Sequence, residues 1–385
     1  LTLAAALGTA SFGQTTLTAI PGEAAAAKYA SISQEILRAI EKGNEYLKSK
    51  QNPEGYWAQP SYPALTALAV TAYMRDPANQ GKPVPEYIRK GYDFILKSQK
   101  EDGSIFNRGM SSYNTAVCMM ALLAANKEEY APAILKGRAY LIKQQNHFAP
   151  DNPYNGGIGY GDKQAPPIAD LSNTSLALEA IYYSQKLAKD GKYGEQPDLD
   201  WNAATEFINR CQQNPAVNKE PWVSNDKSQL GGFVYRPGVA SARDSKSAAF
   251  DKAEPPRAYG SMTYAGMQSL IYANVDKNDP RVKLALKWLE NSYNLDENPG
   301  MGVQGLYYYY QAMSKALSAM GIDTLTLEDG RKVDWRDELA NKLISIQKSD
   351  GSWVNTNNRW WEADPVLVTS YCVLALEQLY HSIPR

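Results

Sequence analysis

Six times along this chain a Gln or Asn closes an amphipathic helix, a Gly-rich turn with an aromatic residue follows, and a mostly apolar helix comes next. The clearest copies are Gln51 with Gly55, Tyr56 and Trp57, Gln99 with Gly103 and Phe106, and Gln347 with Gly351 and Trp353. Looser copies follow Gln145 (Gly156, Gly157, Tyr160), Gln213 (Gly231, Gly232, Phe233) and Asn291 (Gly300, Gly302, Tyr307). Such repetition dominates every other signal, because one unit cannot bury its apolar face alone and must pack on its neighbours.

The first helix of each unit falls at 33–49, 85–98, 131–144, 200–212, 280–292 and 334–347. Its apolar residues recur at helical spacing, as in Ile88, Tyr92 and Ile95 or Leu339, Leu343 and Ile346, with Lys, Arg and Glu between them, so one face is wet. Asp279 before Pro280, and Asp334, suit N-caps. The second helices, at 63–74, 113–125, 171–184, 261–273, 306–320 and 365–380, carry few charges on any face. Helices apolar nearly all round are buried ones. Six wet helices alternating with six dry ones predict an all-α (α/α)6 toroid, an inner ring inside an outer one. The turn glycines suit left-handed helix ends, and the Gln side chains suit bridging of orphan backbone groups.

The 385 residues carry the repeats without a separating linker, so residues 33–385 are expected to form a single domain. Residues 1–32 read as a signal-peptide remnant, Leu1 to Phe12, and a small-residue tether, which predicts an exported protein, periplasmic or extracellular. That apolar run is too short to span a bilayer, and no other stretch predicts a transmembrane segment. A net charge of -1 gives no electrostatic case for nucleic acid. Cys118, Cys211 and Cys372 lie inside helical patterns without metal-ligand spacing and read as buried thiols; His147 and His381 read as incidental. The longest departure from the pattern, 214–257, has the length of a functional loop, or of a disordered one.

The Gln-x-x-x-Gly-x-aromatic repeats resemble those of the prenyltransferase and squalene-cyclase superfamily, and in order and spacing those of secreted bacterial proteins that carry them. The resemblance implies the same toroid. It also shows where inherited chemistry breaks. The stretches around Gln304–Ala312 and Thr369–Cys372 resemble those that hold the zinc ligands of protein prenyltransferases, but the ligand positions read Gln304, Leu306 and Val368, so no zinc and no other cofactor is expected. The acid motif of the squalene-hopene cyclases, Asp-x-Asp-Asp-Thr, resembles Asp170-Leu171-Ser172-Asn173-Thr174, with Ser172 in place of the proton donor. A Ser hydroxyl is far too weak an acid to protonate an alkene.

If the inner ring forms, the starts of its helices converge on one mouth. Tyr62, Tyr113, Asp170, Asn173, Tyr259, Tyr264, Tyr307, Tyr308, Trp360, Trp361, Glu362 and Asp364 are the candidate ligand-binding residues there. Asp170 and Asp364 also read as helix caps, and the aromatics also read as packing; Glu362, beside two tryptophans, has no capping role in the sequence. Three functions are compatible with this set. One is binding of an apolar, isoprenoid-like small molecule in an aromatic cavity, without inherited cyclase or prenyltransferase activity. Another is a glycan-active enzyme: a glycoside hydrolase using Asp170, Glu362 or Asp364, or a polysaccharide lyase using Tyr with Arg236, Arg243, Arg257 or Arg359. The third is a scaffold for an envelope protein partner.

Overall fold

The computed structural model describes residues 23–161, 168–238 and 256–383. The expected signal-peptide remnant, residues 162–167, and the 239–255 part of the long loop with Arg243 lie outside the described residues. Twelve α-helices alternate as the repeats predict. The outer set is α1 (Glu23–Ser49), α3 (Glu86–Lys97), α5 (Ala131–Lys143), α7 (Trp201–Cys211), α9 (Pro280–Asn291) and α11 (Trp335–Ser345). The inner set is α2 (Pro63–Arg75), α4 (Ser111–Ala125), α6 (Leu171–Lys189), α8 (Gly260–Tyr272), α10 (Leu306–Met320) and α12 (Pro365–Ser382). A two-residue hairpin, β1 (Leu325–Thr326) with β2 (Lys332–Val333), sits between α10 and α11.

Periodicity decides which face goes inside. On α3, Ile88, Gly91, Tyr92 and Ile95 are buried, one stripe at helical spacing, while Arg89 and Lys90 stay in water. On α8 every residue from Gly260 to Tyr272 is buried, as an inner-ring helix requires. The inner helices pack in the order α2, α4, α6, α8, α10, α12, and α12 then packs on α2, so the ring closes. Each outer helix rests on the inner ring, α1 bridging α11 and α12.

The repeat residues hold this ring together. Gln51 Nε2 donates to the carbonyl of Gly55 in its own turn (3.0 Å) and to that of Tyr87 in the first turn of the next outer helix (2.7 Å). Gln99 does the same with Gly103 and Ala133, Gln145 with Gly156 and Asp200, Gln212 with Gly231 and Arg281, and Gln347 with Gly351 and Ala39. One amide thus bonds the carbonyl of its own turn and adds a second bond to a carbonyl of the next outer helix, stapling neighbouring outer helices. Gly103 has φ +90°, and a Cβ there would collide with the Lys136 carbonyl oxygen, so neither conformation nor space admits another residue.

The first helix begins at Glu23, inside the stretch expected as a tether, rather than at 33. Two turn positions also differ from the sequence expectation. The fourth staple is Gln212, while Gln213 turns away to bond Pro256 O and Ser224 N. The fifth turn is built on Asn298 rather than Asn291: its amide reaches Ser261 and Gln304 O and so ties to the inner ring. A second recurrent contact supports the inner helices. The backbone N–H of the apolar turn residue donates to a Thr hydroxyl one turn into the next inner helix, at Trp57–Thr66, Ile105–Thr115, Ile158–Thr174, Phe233–Thr263 and Trp353–Thr369.

Candidate functional site

The first turns of all six inner helices open onto one end of the ring, and there they line a cavity of about 510 Å³. Its wall combines Tyr62, Leu65, Tyr113, Tyr259, Met262, Tyr308, Leu367 and Tyr371 with a narrower polar side made by Ser172, Asn173, Ser261 and Asn358. The rim is closed by Tyr160 and Tyr235, whose hydroxyls lie 3.1 Å apart, and by Arg359, Trp360 and Trp361. A smaller chamber of about 90 Å³ lies deeper in the ring, and Tyr113, Tyr308 and Tyr371 belong to both.

The tryptophan rim is conformationally costly. Trp360 and Trp361 have φ +55° and +65°, the left-handed region, where each non-Gly residue costs about 1–3 kcal/mol. Their rings remain 39% and 41% exposed, far more than the other tryptophans that staple the turns, so packing alone does not explain them. Trp361 stacks on Tyr62 at a ring-centroid distance of 4.6 Å, and Trp360 lies under the Arg359 guanidinium at 5.2 Å.

Of the expected site residues, Tyr62, Tyr113, Asn173, Tyr259, Tyr308, Trp360, Trp361 and Glu362 come together on this cavity. Four do not. Tyr264 is fully buried against Tyr309, and Tyr307 turns outward to donate its hydroxyl to Val354 O. Asp364 caps α12, accepting from Val366 N at 2.8 Å. Asp170 lies behind the wall as the cap of α6: one oxygen accepts from Asn173 N and the other from Asn173 Nδ2, both at 2.8 Å. Burial pushes its carboxyl up to about 6, against the opposing pull of the Asn173 hydrogen bonds and the Arg236 charge.

Glu362 corrects the sequence reading most directly. It is 1% exposed, and its carboxylate accepts from Tyr308 N (2.9 Å) and Asn355 Nδ2 (2.7 Å). It therefore caps α10, whose own N-cap, Gly305, has no side chain to offer. Burial also pushes this carboxyl up to about 6, although the α10 amides and Asn355 favour its ionised form.

Sequence reasoning missed Ser172, Tyr160, Tyr235, Met110 and Tyr371 as lining residues, and named Arg359 only for the lyase reading. A signal was present. The residues facing the two chambers recur at i, i+3, i+4 and i+7 on α4, α6 and α10, as in Tyr308, Gln311, Ala312 and Lys315 or Ser172, Ser175, Leu176 and Glu179. The few polar residues of otherwise apolar helices mark that stripe.

Chemically the cavity offers surface, not acids. Glu362 is the one carboxylate among the described lining residues, and both its oxygens are engaged. Burial pushes the phenols of Tyr259 and Tyr308 above their ordinary value, so they stay neutral. Among the described residues no three His, Cys, Asp or Glu side chains form a group that could hold a metal ion, and no helix is long and apolar enough to cross a membrane.

No family model matches the chain. Solved structures do. A variant of the type II terpene cyclase MstE from Scytonema, in complex with its substrate geranylgeranyl dihydroxybenzoate, is similar over 92% of this chain and 99% of its own, at 10% identity and a TM-score of 0.53. A second variant, in complex with the product merosterolic acid A, matches with the same figures, and the apo enzyme over 91% and 99%, at 11% identity and a TM-score of 0.53.

The chain shares the fold of this cyclase. In the toroid, Ser172 and Asn173 face the cavity from the first turn of α6, the place where the sequence resembles the cyclase acid motif, while the one carboxylate of that stretch, Asp170, is spent on capping.

Proposed function

We propose that this toroid binds an apolar, isoprenoid-like small molecule in its upper cavity, and that it does so without protonating the ligand from the Asp170–Thr174 stretch. The observation that carries the reading is the cavity itself: about 510 Å³, walled by aromatic and aliphatic side chains from five of the six inner helices, with Ser172 and Asn173 contributed by α6. That volume lies in the range of small-molecule sites, about 300–1,000 Å³. The isoprenoid ligands of MstE in the same fold support the choice of ligand class. The Ala/Leu-rich start of the chain supports an exported setting.

The carboxylates weigh against glycoside cleavage, which needs two acids facing one space about 5–10 Å apart. Here Asp170, Glu362 and Asp364 are each occupied in capping a helix. Arg359 at the rim, beside Tyr259, suits a lyase better, but a tyrosine base must lose its proton and burial holds the Tyr259 phenol protonated.

The test is a titration of the purified protein with farnesol, followed by tryptophan fluorescence and calorimetry, with a uronate oligosaccharide as the competitor class. Saturable farnesol binding that Trp361→Ala weakens supports the reading. Saturable oligosaccharide binding without farnesol binding overturns it.

A further inference from the structure

Three tyrosines stand between the two chambers of the ring. Above, the wall is aromatic and aliphatic. Below, the space of about 90 Å³ is bounded mainly by aliphatic side chains, among them Leu68, Met120 and Leu374, with Arg75, Glu179 and Lys315 between them. Lys315 Nζ lies 2.5 Å from Glu179 Oε2, and Arg75 donates to Gln378.

Tyr113, Tyr308 and Tyr371 line both chambers, so their rings form the partition. They brace one another. The Tyr308 and Tyr371 rings are 5.9 Å apart, Tyr113 and Tyr371 are hydrogen-bonded, and the Tyr308 hydroxyl bonds Ser172 on α6. They come from α4, α10 and α12, three separate positions round the ring. Side chains fixed at both ends in this way have low rotamer freedom and act as a wall.

Resting on the reading of the upper cavity as an apolar ligand site, we infer that Tyr113, Tyr308 and Tyr371 set the length of the chain this protein accepts. The ligand stops at the tyrosine floor. The stop is steric, since a longer chain would have to displace a packed ring. Specificity then lies in the floor and the ligand class in the walls.

Geraniol, farnesol and geranylgeraniol, which differ by one isoprene unit each, test this by calorimetry. In the wild-type protein affinity should rise with length and then fall at the alcohol whose end meets the floor. Tyr308→Ala and Tyr371→Ala should each move the optimum to a longer alcohol and raise affinity for the longest by about tenfold or more, as buried methylenes are gained. Tyr371→Leu, a smaller change in volume, guards against loss of fold and should give a smaller shift in the same direction. An unchanged optimum in variants that keep wild-type circular dichroism overturns the floor and leaves the ligand site standing, as does wild-type affinity that keeps rising to the longest alcohol. If none of the three alcohols binds, the ligand site and the floor fall together.

Discussion

The carboxylate of Glu362 accepts a hydrogen bond from the backbone N–H of Tyr308, 54 positions earlier, at 2.9 Å, so a residue of the mouth loop finishes the start of another repeat's helix. The same pair joins the two halves of the site. Tyr308 stands in the cavity floor, and Glu362 follows directly on the strained Trp360–Trp361 turn. Removing the cap should therefore loosen both. Glu362→Ala is expected to cost about 1–3 kcal/mol, the penalty of leaving buried donors unpaired. Glu362→Gln keeps an acceptor and sheds a buried charge, so at pH 7 it should be no less stable than wild type. Urea unfolding of the two variants checks this, and equal losses in both would refute the capping role.

The pH dependence of stability follows from the same burial. Asp170 and Glu362, raised from 3.8 and 4.5 to about 6, bind protons more tightly folded than unfolded across that interval. Their contribution is fully present below the unfolded values and is lost as pH rises through 6. Glu377, buried with both oxygens unpartnered, is pushed up as well and acts in the same direction. At about 1.4 kcal/mol per pKa unit, unfolding free energy should drop by a few kcal/mol between pH 4.5 and 7. Aspartates held low, such as Asp279 beside Arg281, act below that window. Urea midpoints measured across it should fall, and Glu362→Gln should flatten the slope. A rise through the interval would contradict the burial argument.

The staples give a graded series. Gln99→Ala removes hydrogen bonds to Gly103 O and Ala133 O and should cost about 1–3 kcal/mol. Gly103→Ala adds a left-handed non-Gly residue and a collision with backbone, and should cost more than the Gln99 change. Thermal unfolding of the pair ranks them; the reverse order would show that the turn relaxes more readily than its geometry allows.

All three thiols are fully buried, and burial pushes each above its ordinary value. A thiolate-selective reagent should modify none in the native protein at pH 8 and all three in denaturant. Rapid labelling of one Cys in the folded state would locate a local opening of the inner ring at that helix.

At the rim, Trp361→Ala deletes a half-exposed ring and its stack on Tyr62. Stability should change by less than about 1.5 kcal/mol, the most such a pair contributes beyond its area. Farnesol affinity should fall about tenfold in calorimetry, since the lost ring covers the cavity rather than the core. A large loss of stability with unchanged affinity would make Trp361 a packing residue.

The architecture was legible because it rests on repetition: helices whose apolar residues recur every three to four positions, punctuated by Gln and Gly, admit few arrangements. Contacts that repeat were within reach as well, and the Thr one turn into five inner helices is a regularity that Thr66, Thr115, Thr174, Thr263 and Thr369 display openly. The site was harder for two reasons. In the run Tyr307 to Tyr310 composition is uniform, and only the phase of the helix puts Tyr308 on the cavity while Tyr307, Tyr309 and Tyr310 turn away to bond backbone carbonyls. The role of Glu362 depends on the end of a helix in another repeat, a relation that no local pattern encodes. Gln212 and Gln213 show the same limit, since adjacent identical residues differ only in the direction their backbone gives them.

The last staple runs from Gln347 to the carbonyl of Ala39, and the last inner helix packs on the first. An open stack of repeats has two terminal units, each with one unshared flank, and it can fray from either. This array has no such flank. Every unit is an interior unit, so damage at one joint is shared by two neighbours and there is no weakest end from which unravelling would start.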